Sequence, residues 1–83
     1  MSRTDILEKV TSIVADELDT GDAPLTEATS FKDLGADSFD LLDLVTTLED
    51  EFGLTLDDEV LDQIKTIGDA VDAIAHAQGE SGE

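Results

Sequence analysis

The chain has 83 residues, no cysteine, tryptophan or tyrosine, and 22 acidic against 4 basic residues, a formal net charge of −18. That size allows one domain with a thin core, since a chain this short buries only about 60–65% of its unfolded surface. The charge disfavours nucleic acid and anionic membrane surfaces, both of which need clustered Lys and Arg, and points to basic protein surfaces and divalent cations instead. Without cysteine there is no disulfide framework and no thiol belonging to the polypeptide itself.

In chain order, "MSRTDILEKV" opens straight into an amphipathic pattern with no apolar signal run, and no stretch approaches the ~18 apolar residues of a membrane span. The expectation is a soluble, cytoplasmic chain. Ile6, Val10, Ile13, Val14 and Leu18 recur at helical spacing and predict a helix from about Thr4 to Leu18, capped by Ser2 or Thr4 and stopped by Gly21 and Pro24. Asp19 to Asp37 shows no clean period, so a long loop is expected, pinned by Leu25, Phe31 and Leu34, with Gly35 supplying backbone freedom before Ser38. A second helix is predicted over Ser38–Phe52, ending before Gly53, and a short third over Asp58–Ile64. The fourth is predicted over Ile67–His76, with Thr66 and Asp69 as a capping box and Ala70, Val71 and Ile74 facing inward. Residues 1–78 would form the domain, and 79–83 a flexible acidic tail. The fold class read from this pattern is all-α, a small four-helix bundle with a long first loop and a short third helix.

The second helix carries the functional signal. With Asp40 at zero and about 100° per residue, Leu44, Leu48, Leu41, Phe52 and Val45 fall in a stripe suited to a core. Asp43, Asp50, Asp40 and Glu51 form a nearly continuous acidic ridge. Phe39 and Leu42 lie outside the apolar stripe and flank that ridge. They either tuck into the preceding loop or form apolar knobs of a docking face, and docking is the better reading because charge sets encounter rate while small apolar contacts set affinity. Ser38 stands at the start of this helix. A serine there is most often an N-cap, yet Asp37 next to it could cap equally well and leave the hydroxyl available. The unpaired N–H groups and dipole of a helix N-terminus would favour a phosphate ester on that hydroxyl, while the local acids oppose it.

The stretch "LGADSFDLLDLVTTLEDEFGLTLDDE" resembles the centre of an acyl carrier protein, a family marked by Gly-x-Asp-Ser-Leu-(Asp/Glu) and an acidic second helix. The similarity extends over roughly Ile6 to Ile74, with "TSFKDLG" and "IKTIGDAVDAI" in register. The resemblance implies that a phosphopantetheinyl transferase (holo-carrier synthase) moves the 4′-phosphopantetheine arm of coenzyme A onto Ser38, with Asp37 as the acid before it. Acyl chains would then ride on the arm's thiol between the ketosynthases, acyltransferases, reductases and dehydratases of fatty acid synthesis. It further implies that Asp40, Asp43, Glu49 and Asp50 dock basic patches on those partners, with Phe39, Leu42 and Thr46 as contact positions and Leu56 and Asp58 at the edge of the same surface. Phe39 departs from the family's usual leucine, and Thr46 from a larger apolar residue, which bears on partner choice and leaves the attachment chemistry untouched. The implied protein is a monomeric carrier and not an enzyme.

Three rival readings are weaker. A dedicated polyketide carrier shares these features, whereas peptidyl carriers usually show Gly-Gly-x-Ser and are less acidic. An acidic calcium-regulated protein would need acids at alternating positions, glycine at the sixth and glutamate at the twelfth, and neither "DTGDAPLTEATS" nor "EDEFGLTLDDEV" complies. No specific metal site is expected. An enzyme would need partners for Ser38, but the lone histidine, His76, falls near the end of the last helix, where an exposed residue suits the negative dipole.

Overall fold

In a computed structural model, which describes residues 2–18, 20 and 24–79, four helices and no strand are present among the described residues. They are α1 (Arg3–Leu18), α2 (Ser38–Phe52), α3 (Asp58–Gln63) and α4 (Ile67–Ala77). The all-α reading holds, and α2 runs between the expected residues. The other helix ends agree to within one residue, α3 stopping before Ile64 and α4 running on to Ala77. Gly21 and residues 80–83, on which the expected helix stop and most of the tail rest, lie outside the described residues.

Caps set these boundaries. Ser2 Oγ accepts from the Asp5 N–H at 3.2 Å at the start of α1. Thr66 and Asp69 form the expected capping box on α4, the Asp69 N–H donating to Thr66 Oγ1 at 3.1 Å and the Thr66 N–H to Asp69 Oδ2 at 3.1 Å. Gly53 ends α2 at φ 67°, a left-handed conformation that glycine adopts without a Cβ penalty.

One aliphatic core lies between α1, α2 and α4. Ile6, Val10 and Val14 come from α1, Leu44, Val45 and Leu48 from α2, and Ala70, Val71 and Ile74 from α4, all buried. The inward faces are therefore those given by helical spacing, with Leu41 and Phe52 packing half-buried at the margin.

From residue 24 on, the long loop is pinned to the core. Phe31 is its buried pin, Leu25 and Leu34 pack half-buried against the core, and a single 3-10 turn forms over Lys32–Leu34. The loop also runs antiparallel to the residues leading into α4. The Phe31 N–H donates to the Lys65 carbonyl at 3.0 Å, the Ile67 N–H to Thr29 at 3.0 Å, and the Gly68 N–H to Glu27 at 2.9 Å. Arg3 fastens this seam from outside, its guanidinium donating to both Glu27 and Asp72. Those two hydrogen bonds, Glu27 foremost, hold Arg3 well above its ordinary pKa.

Candidate functional site

The site is built at the start of α2. Asp37 is the N-cap, with its side-chain Oδ1 accepting from the Asp40 N–H at 2.9 Å. Asp40 closes a reciprocal box by accepting the Asp37 N–H on Oδ2 at 3.3 Å. Ser38 is consequently the first helical residue and not the cap. It is exposed, and its hydroxyl makes no hydrogen bond with any described residue. Gly35, at φ 84°, ends the 3-10 turn and delivers the chain to this position. The competition between Asp37 and Ser38 for the cap is thus decided for the aspartate, and the serine oxygen points to no structural duty.

Two clefts border Ser38 and share Leu41. The larger, about 650 Å3, lies toward the loop and the start of α4, and includes Phe31, Lys32, Ala36 and Lys65. The smaller, about 350 Å3, lies between α2 and α3, with Leu42, Val45 and Leu61 as its apolar wall and Asp58 and Asp62 at its rim. An exposed hydroxyl at a helix N-terminus, beside two partly apolar clefts, fits an anionic ester carrying an extended arm.

The exposed face of α2 matches the helical wheel. Phe39 is 79% exposed and Leu42 53%, and they are the large exposed hydrophobics of the described residues. Asp40, Asp43, Thr46 and Asp50 are exposed around them. Thr46 bonds back to the Leu42 carbonyl through its hydroxyl at 3.0 Å, which leaves its methyl as the smaller apolar contribution to the patch. Asp58, at the start of α3, is exposed on the same cleft as Ser38.

Two of the expected docking residues are placed differently. Leu56 is buried, at 7% exposure, and packs in the core. Its N–H donates to Glu49 Oε2 at 2.7 Å, a bond that accompanies the packing of its side chain into the core. Glu49 is half-buried, with one carboxylate oxygen accepting that bond, and borders a surface cleft together with Thr46 and Asp50. His76 is exposed in the last turn of α4 and lines a cleft that does not include Ser38. No group of three or more His, Cys, Asp or Glu side chains arranged for a metal ion occurs among the described residues. No helix of the described residues is long and apolar enough to cross a membrane. Lys32 and Lys65, which border the larger cleft, carry no functional signal in the sequence: they stand far apart in it, and only the seam brings them together.

Comparison with known proteins agrees with this geometry. The family model described as "Phosphopantetheine attachment site" matches residues 8–74. Among solved structures, the acyl carrier protein of Thermotoga maritima is 32% identical, with a TM-score of 0.82 over 96% of this chain and 94% of that one. The acyl carrier protein of Enterococcus faecalis is 38% identical, with a TM-score of 0.76 over 93% of this chain and 99% of that one. The matched domain is one that carries a covalent 4′-phosphopantetheine. By sequence family, by fold and by the likeness of whole chain to whole chain, the protein belongs to the phosphopantetheine-attachment family of discrete acyl carrier proteins.

Proposed function

We propose that Ser38 is the attachment residue, and that the chain shuttles growing acyl groups between the enzymes of fatty acid synthesis. The observation that carries this reading is the exposed Ser38 hydroxyl, spared from capping because Asp37 does that work. In the loading step Ser38 Oγ forms a bond to the phosphorus of coenzyme A that bears the pantetheine. The bond from that phosphorus to the adenosine bisphosphate breaks, and the serine proton passes to a base on the transferase. The arm supplies the thiol that this cysteine-free chain lacks, and acyl groups are carried there as thioesters. The chain's own residues present the hydroxyl, shelter the arm along the clefts beside it, and dock partners.

Docking is assigned to Phe39, Leu42 and Thr46 as the apolar patch, with Asp40, Asp43 and Asp50 steering basic partners and Asp58 at the margin. The partners of this reading are a phosphopantetheinyl transferase and the ketosynthases, acyltransferases, reductases and dehydratases that use the cargo, all met by a monomer in the cytoplasm. Intact-protein mass spectrometry after incubation with coenzyme A, magnesium and a broad-specificity transferase tests the attachment. Wild type should gain one arm and Ser38→Ala none, with both equally helical. Loading of the alanine variant would overturn the assignment. Elongation of the loaded cargo by a fatty acid ketosynthase, and not by a polyketide one, tests the pathway.

A further inference from the structure

The chain has four basic residues against 22 acids, and their distribution is uneven in a way that bears on Ser38. Arg3 is committed to Glu27 and Asp72. Lys9 lies 4.0 Å from a Glu51 carboxylate oxygen and 5.0 Å from the centre of the Phe52 ring. The other two, Lys32 and Lys65, form no ion pair among the described residues, although acids outnumber bases more than fivefold. Both border the larger cleft beside Ser38. They are brought there from 33 positions apart by the seam, in which the Phe31 N–H donates to the carbonyl of Lys65 itself.

The two clefts at Ser38 therefore differ in sign. The α2–α3 cleft presents Asp58 and Asp62 and no base. The cleft toward α4 presents two lysines and a single acid, Asp37, one of whose carboxylate oxygens already accepts the Asp40 N–H. A phosphodiester keeps one negative charge at neutral pH, and an ammonium group is a compact charge with three rotatable donors suited to phosphate oxygens. The N-terminus of α2 attracts the same anion but does not choose between the two sides, because it lies at the boundary of both.

We propose that Lys32 and Lys65 form a cationic seat for the phosphodiester on Ser38, holding the base of the arm on the α4 side and away from the acidic α2–α3 cleft. The inference rests on Ser38 being the attachment point. It gives the arm a defined direction of departure, so that Phe31, Ala36 and Leu41 meet the pantetheine body before any cargo is reached. It also makes the two lysines positioning residues, since neither is needed for the bond to form.

The test compares apo and transferase-loaded protein by amide and phosphorus NMR in wild type, Lys32→Gln, Lys65→Gln, the double variant, and Lys9→Gln as a control of equal charge change. In wild type, loading should shift the amides of Lys32, Ala36 and Lys65, and moderate salt should reduce those shifts. In the double variant they should fall at least twofold, with the phosphorus line narrowing, while mass spectrometry still shows one arm. Lys9→Gln should behave as wild type. Shifts that persist undiminished in the double variant, or that lie in wild type on Leu42, Leu61 and Asp62, would overturn the lysine seat alone. A wild type that accepts no arm would overturn the attachment reading, and the seat with it. Both lysines are exposed, so the variants should retain wild-type helicity, and far-ultraviolet circular dichroism checks this.

Discussion

Gly68→Ala is the most informative single change outside the site. Glycine in a helix normally invites replacement, because alanine there is favoured by about 0.8–1 kcal/mol. At this position the structure reverses the sign. A Cβ on Gly68 would stand 2.9 Å from the Glu27 carbonyl oxygen, 3.1 Å from Glu27 Cβ and 3.3 Å from Glu27 Oε1. The closest of these atoms is main chain and is the acceptor of Gly68's own N–H at 2.9 Å, so relief requires the loop to move and that bond to lengthen. Overpacking of this kind costs about 1–3 kcal/mol, and a weakened hydrogen bond about 1 kcal/mol more. Set against the propensity gain, a net loss of about 1–3 kcal/mol is expected. For a domain of this size each kcal/mol lowers Tm by about 4–8 °C, so a drop of at least about 4 °C is expected. Urea and thermal unfolding followed by circular dichroism, at fixed moderate salt so that self-repulsion is constant, would measure it. Glu27→Ala in the same background should recover little, since the hardest contact is with backbone. A neutral or stabilising Gly68→Ala would refute the account, because it would mean that loop and α4 are not held at this separation.

Asp37→Ala should remove the α2 cap and cost about 0.5–2 kcal/mol, whereas Asp37→Asn should cost much less; chemical denaturation separates the two. Phe39→Ala should leave stability within about 0.5 kcal/mol, since the ring is largely exposed, yet slow loading by the transferase; stopped-flow kinetics beside melting curves would reveal any coupling between the two. Asp43→Lys should slow association with a basic partner, and the difference should shrink as salt shortens the Debye length to about 8 Å near 0.15 M. Arg3→Gln should cost less than about 1 kcal/mol, because the ion pairs it loses are half-exposed. Its folded pKa is raised, so its contribution is complete below the unfolded value and is lost only above the folded one. The cost of Arg3→Gln should therefore be the same at pH 7 and pH 9.5 in urea titrations.

The helices were legible because side chains announce them. Thr66 with Asp69, Asp37 before α2, and Gly53 after it are local signals that act within one turn, and the apolar spacing of α1, α2 and α4 selects the buried faces. The exposure of Phe39 and Leu42 was equally legible, since a wheel places them off the core stripe whatever the tertiary structure. What escaped was order produced by backbone. The seam from Glu27 to Phe31 is made by N–H and carbonyl groups that every residue carries, and its one mark in the sequence, the missing Cβ of Gly68, reads as a weak helix residue until its neighbour is known. The burial of Leu56 escaped for a related reason, since it sits in an aperiodic connection whose N–H bonds to Glu49 seven residues earlier. The meeting of Lys32 and Lys65 depends on the same seam and so had no local signature.

That seam also bears on how the chain reaches its native state. The helices can form within their own turns in microseconds or less, but the bridge from Ser30 to Thr66 joins positions 36 apart, and closing so large a loop gains nothing until both ends are already presented. Its closure is therefore expected late, after α2 and α4 have condensed on α1. The larger cleft beside Ser38, which Ser30, Phe31 and Lys65 line, would then take its final shape only in the last step of folding, and a partner that reads that cleft would encounter a finished surface only on chains that have completed it.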